Sequence, residues 1–171
     1  MKKMFTIAAL VACAVAVQAA QISWSASMVT TDGTTKIGKA NLVGYLFDAA
    51  TSQTDALAAI NAGGDTLASL QVGNAGAGTA DGVIGAGAYT TDAYATSSSQ
   101  SFYAIIIDSS SNKYIATDNK TVTIKPTGIT SVGFASQANK TNWQPVGVPE
   151  PCTVALVALG LAAFGLKRKV A

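Results

Sequence analysis

Residues 20–147 predict a mainly β fold, a small antiparallel β-sandwich-like domain with one short helix. Three observations predict it. Apolar and β-branched residues fall into short runs bounded by Gly, Asp, Asn and Pro; one of these runs alternates strictly with period two; and a single segment carries a helix-capping signature.

Taken in order, residues 22–28 alternate Ile22, Trp24, Ala26 and Met28 with Ser23, Ser25 and Ser27, the pattern of a strand with one buried face. Asp32-Gly33 marks a turn. Residues 42–47 are almost wholly apolar, which suits a central strand, with Gly44 at a bend or close contact. Ser52 is a good N-cap, Asp55 stands at the capping-box position, and Ala56, Leu57 and Ile60 form an apolar stripe ended by Gly63. A second helical turn is expected through Leu67 and Leu70.

Residues 73–100 are rich in Gly, Ala, Thr and Ser and are expected to form a long surface loop, with room for one short strand at Val83, Ile84 and Tyr89. Gly85-Ala86-Gly87 is not a nucleotide loop, because no Gly-x-Gly-x-x-Gly completes and no P-loop lysine follows. A second apolar run covers 102–107, and its Ile105-Ile106-Ile107 favours strand. Residues 108–112 read as a turn and 114–117 as a strand. Asp118-Asn119 is expected to be a tight hairpin connection to 121–125, where Val122 and Ile124 face inward. Pro126 stops that strand, 129–134 form the last one, and Trp143 closes the domain.

Charge and residue usage exclude several functions. Outside the two ends the bases are Lys36, Lys39, Lys113, Lys120, Lys125 and Lys140. The acids there are Asp32, Asp48, Asp55, Asp65, Asp81, Asp92, Asp108 and Asp118. The domain is therefore slightly acidic although the whole chain is formally +2. With no basic patch, nucleic acid is not an expected partner. Cys13 and Cys152 both lie in the ends, and the chain has no histidine. A disulfide framework, the usual zinc sets, Ser-His-Asp and Cys-His nucleophiles and imidazole acid–base chemistry are all excluded from the domain.

Both ends read as targeting segments. Lys2 and Lys3 precede an apolar run over 4–17, and Val17-Gln18-Ala19 places small residues where signal peptidase reads, so 1–19 is expected to be a signal peptide cleaved after Ala19. Leu10-Val11-Ala12-Cys13 offers a rival lipoprotein reading, opposed by the apolar residues that follow Cys13. At the other end, Val148-Pro149-Glu150-Pro151 precedes an apolar run over 153–166 and then Lys167-Arg168-Lys169. Lys and Arg cost roughly 2.5 to 3.5 kcal/mol each at a bilayer centre, so the cluster is expected at the cytoplasmic surface. The run is expected to form a helix of about 21 Å, shorter than the roughly 30 Å of a bilayer's hydrocarbon core. It is expected to act as a weak or temporary anchor in the inner membrane. Pro149 and Pro151 are expected to hold Glu150, the sole glutamate of the chain, in an extended segment in front of it.

These three elements, in this order at the C-terminus, resemble the PEP-CTERM sorting signal of Gram-negative bacteria, with the likeness confined to 148–171. The resemblance implies recognition by exosortase, a membrane-embedded cysteine transpeptidase, and release or transfer to the cell surface or extracellular matrix. It implies that Pro149, Glu150 and Pro151 are the recognition triplet, with Val148 leading into it, and that Lys167, Arg168 and Lys169 are the retention cluster. Cys152 directly after the triplet departs from the expected pattern.

Within the domain no catalytic, cofactor or metal residue is singled out. Asp108 is the best lone candidate for an aspartate-based carbohydrate hydrolase, but at a strand end before Ser-Ser-Ser-Asn it reads more simply as a turn residue. Asp32, Asp81 and Asp108 lack the spacing of a calcium loop. Trp24, Tyr45, Tyr103, Tyr114 and Trp143 are expected in the core or in cross-strand pairs rather than stacked on sugars. Asn119-Lys120-Thr121 and Asn139-Lys140-Thr141 match the glycosylation triplet, a pattern short enough to arise by chance. The expectation is a non-enzymatic protein of the surface or extracellular matrix, structural or adhesive in envelope or biofilm, with exopolysaccharide or its own copies as partners. The alternatives are the secreted aspartate hydrolase and a permanently membrane-anchored surface protein.

Overall fold

A computed structural model describes residues 19–91 and 97–147. The predicted leader before Ala19 and the tail from Val148 onward, with its apolar run and basic cluster, lie outside the described residues. Among the described residues nine strands and two α-helices follow in chain order. They are β1 (Ala20–Ala26), β2 (Leu42–Asp48), α1 (Gln53–Ala62), α2 (Gly64–Leu70), β3 (Gly76–Ala80), β4 (Val83–Thr91), β5 (Ser98–Asp108), β6 (Lys113–Ala116), β7 (Lys120–Ile124), β8 (Ile129–Phe134) and β9 (Gln144–Pro145).

The mainly β expectation holds, but its architecture needs correcting. Instead of two packed sheets, all nine strands belong to one, in the order β8-β1-β4-β3-β2-β5-β6-β9, with β7 on β5. The sheet is antiparallel except where β1 and β8 run parallel, Ser23 beside Ser131. One face carries Ile22, Trp24, Leu42, Leu46, Ile84, Phe102, Ile106, Ile124 and Val132 in a single buried cluster. Strands from both ends of the order meet in that cluster, and β7 returns to lie beside β8. The sheet thus rolls around its own core, which removes most of its edge.

On the outer face of β2 and β5, Phe47, Tyr103 and Ile105 pack with Ala56 of α1, and Leu57, Ile60, Leu67 and Leu70 close over them. This explains the unbroken apolar runs: β2 and β5 are buried on both faces, so neither shows alternation. α1 begins as the capping signature requires, with the Asp55 amide donating to Ser52 Oγ at 3.1 Å. The reciprocal arm differs, because the Ser52 hydroxyl donates to the Asp55 carboxylate at 2.7 Å. Gly63, at φ 64°, ends α1, and α2 supplies the second helical turn as a separate helix.

Residues 73–100 are not a long loop. They hold all of β3 and β4 and the start of β5. Small residues are required there because Trp24, only 3 % exposed, fills the space from the next strand but one. A Cβ on Gly76 would sit 2.5 Å from Trp24 Cζ2, and one on Gly44 would sit 2.9 Å from Trp24 Cη2. A Cβ on Gly78 would strike the Lys39 backbone. The indole is fixed at both ends, by Nε1 donating to the Asn74 carbonyl at 3.3 Å and by an edge-on contact with Phe134 at 6.4 Å.

Two local expectations also fail. Met28 does not continue the buried face: it turns left-handed at φ 53° and is exposed, since the chain must bend into the turn at Asp32. Asp118-Asn119 does not close a hairpin. β6 and β7 never pair with each other but line up along the same edge of β5, at 105–108 and 98–102 respectively. The eleven-residue β5 is long enough to receive both.

Candidate functional site: the point where the sorting tail leaves the domain

The chain leaves the domain through β9. Lys113 of β6 stands opposite Pro145 and Tyr114 opposite Gln144. The last backbone bond runs from the Val146 amide to the Asn112 carbonyl at 3.0 Å. Asn112 adopts φ 52° in the turn that presents this carbonyl. Just upstream, Trp143 packs against the main core and its Nε1 donates to the Thr30 carbonyl at 2.9 Å. An ion pair between Lys140 and Asp118 ties the preceding segment to the β6–β7 connection. The sequence from 141 to 147 is thereby secured against the body, and the predicted Val148, Pro149, Glu150 and Pro151 follow at once.

A shallow groove of about 330 Å³ opens beside this exit, between α1 and β6–β9. Gln53, Leu57, Ala58 and Asn61 form its helical wall, and Tyr114 and Gly147 line it opposite. No charged side chain lines it. Sequence reasoning missed this groove. Its walls come from segments far apart in the chain, and no local pattern marks them.

Of the predicted targeting residues, Ala19 alone is described. It lies directly before β1, whose first residue, Ala20, is fully buried. The sorting residues and Lys167, Arg168 and Lys169 lie outside the described residues.

Inside the domain the structure places the weighed carboxylates in separate turns. Asp108 is 2 % exposed. Its Oδ1 accepts from the Ser110 amide at 3.0 Å and the Ser110 hydroxyl at 2.6 Å, and its Oδ2 accepts from the Ser111 hydroxyl at 2.7 Å. Burial pushes this carboxyl up, but the hydrogen bonds from Ser110 and Ser111 together outweigh it and hold the group below the usual range. Such a carboxylate is tied to its own turn, as the sequence suggested. Asp32 accepts from the Thr35 amide at 2.6 Å and the Thr34 amide at 2.9 Å, and these bonds, with the two threonine hydroxyls, hold it far below the usual range. Asp81 accepts from the Lys39 amide at 2.9 Å. Among the described residues no three acidic or cysteine groups gather as a metal cluster.

The aromatic residues take the positions expected of core and cross-strand groups. Trp24 and Tyr103 are buried, and Tyr45 and Tyr114 pack on the helix-covered face. Tyr103 stacks on Phe47 at 5.8 Å and donates to the Thr51 carbonyl at 3.0 Å. Burial, with a smaller contribution from Asp55, pushes its phenol up to about 12. Among the described residues no helix is long and apolar enough to cross a membrane.

The chain is thus a β domain with a C-terminal address, and comparison with known families defines that address. Residues 147–169 match the family described as the PEP-CTERM protein-sorting motif. No curated protein and no solved structure matches the chain. The motif suggests export through an exosortase system to the cell envelope or surface, and it implies recognition by the exosortase.

Proposed function

We propose that this is a surface or extracellular-matrix protein of a Gram-negative-type bacterium, in which residues 20–147 are the delivered domain and 148–171 the address. The domain serves a structural or adhesive role in envelope or biofilm, through contact with exopolysaccharide or with its own copies, and is not an enzyme. One observation carries the reading: the sorting motif begins at residue 147, one residue beyond Val146, which makes the last backbone bond among the described residues. Trimming near Pro151 therefore leaves every described strand of the β-sheet in place. Glu150, flanked by two prolines that disfavour helix, is the handle the transpeptidase grips, and the apolar run with its basic cluster holds the chain in the inner membrane meanwhile.

Intact mass of the surface form tests this. A mature chain ending near Pro151 is expected, and Glu150→Gln is expected to leave the tail through Ala171 in place. A wild-type surface form that keeps Ala171 refutes trimming and leaves a permanent anchor. For the adhesive role, the purified domain is expected to be retained on native matrix polysaccharide or to self-associate; neither occurring removes that part. The engaged carboxylate of Asp108 lends the hydrolase alternative no support.

A further inference from the structure

The geometry points to the groove between α1 and β6–β9 as a docking surface for the membrane-embedded processing enzyme, so that the enzyme reads the folded body as well as the tail. This rests on the proposed sorting by exosortase. The argument is one of reach. Gly147 is both a wall of the groove and the first residue of the matched motif. Glu150 lies three residues further on, at most about 11 Å away along a fully extended chain. An ordinary protein interface covers about 800 Å² on each partner, a disc of about 16 Å radius. An enzyme face of that size centred on Glu150 therefore reaches Gly147 and the edge of the groove beside it. The chain offers no spacer to prevent this, because Val146 is still bonded to Asn112.

The groove suits such a partner chemically. Leu57, Ala58 and Tyr114 give its lining apolar surface, and Gln53 and Asn61 add carboxamides to it. None of its lining residues is charged, so the matching surface is a neutral, partly apolar protein face rather than an acidic or basic one. On its helical wall Ala56 and Ala59 are buried, and Ala56 packs with Phe47, Tyr103 and Ile105 of the sheet.

The test is the rate of tail removal in the native cell, followed by intact mass of the full chain. Ala58→Arg and Asn61→Arg place a bulky charge in the groove from exposed positions. Both are expected to slow trimming roughly tenfold, the loss of a modest part of an interface. Ser25→Arg, exposed on β1 and three strands from β2, is expected to trim at the wild-type rate. Thermal unfolding of each variant checks that the domain is intact; should Ala58→Arg unfold, Asn61→Arg decides. Trimming of the folded groove variants at the wild-type rate overturns the inference while the sorting reading stands. A wild-type chain that is never trimmed removes both.

Discussion

Gly76→Ala is expected to destabilise the domain by about 2 kcal/mol, although alanine is ordinarily an acceptable residue in place of glycine. Gly76 is not in the left-handed region, so backbone strain plays no part. The added methyl would stand 2.5 Å from Trp24 Cζ2 and 2.8 Å from Cη2, where ordinary contact begins at 3.4 Å. The indole cannot retreat, held as it is by the Asn74 carbonyl and Phe134. Overpacking costs about 1–3 kcal/mol, and a 2.5 Å clash with a held ring lies at the upper end; a gain of about 0.4–1 kcal/mol from stiffening the unfolded chain leaves a net of about 2 kcal/mol. For a domain of this size the net shift lowers the thermal midpoint by roughly 6–10 °C. Trp24→Phe alone costs on the order of 2 kcal/mol through the void it leaves, but in the Gly76→Ala background the methyl fills part of that void. The double variant is expected to be more stable than the sum of the singles by about 1 kcal/mol, read by denaturant unfolding. Gly133→Ala, where the new Cβ meets nothing within 4 Å, is the control and is expected to be neutral or slightly stabilising. A Gly76→Ala domain as stable as wild type, or additive double-variant energies, would refute the claim that Trp24 dictates the small residues of β3.

Two further predictions concern pH. Asp108 has a folded pKa below its ordinary 3.8, so its contribution is present above that value and is lost as pH falls through the lower, folded value. Asp108→Asn is expected to flatten the acid limb of stability below about pH 4 in urea titrations, and an unchanged limb would count against the turn assignment. Tyr103 has a folded pKa raised from 10.0 to about 12, so its contribution is complete below pH 10 and disappears as pH rises through 12. Tyr103→Phe is expected to remove that alkaline loss and to cost about 1 kcal/mol at neutral pH through the unpaired Thr51 carbonyl, measured by chemical denaturation at both pH values.

What was legible in the sequence was local. β1 announces itself through alternation, β2 and β5 through apolar runs, and α1 through Ser52 and Asp55. The tail was legible because its triplet, apolar run and basic cluster are contiguous. β3 was hidden because it is built of Gly, Ala and Thr, and the volume over Gly76 belongs to Trp24, far away in the chain; of β4 only Val83, Ile84 and Tyr89 gave a strand signal. The β6–β7 relation failed for a different reason. Asp118-Asn119 has hairpin chemistry, but both neighbouring strands find a better partner in the long β5. The groove at Gly147 had no local signal, since three separate segments build it.

The parallel pairing of β1 with β8 sets the timetable of folding. Ser23 meets Ser131 across 108 residues of chain, so the first strand waits for nearly the last before its second edge is satisfied. Closing so large a loop is slow, and sheets dominated by such distant pairings form in milliseconds to seconds. A chain made only as far as β7 therefore holds β1 by one edge, against β4, and leaves the other edge open until 129–134 arrive.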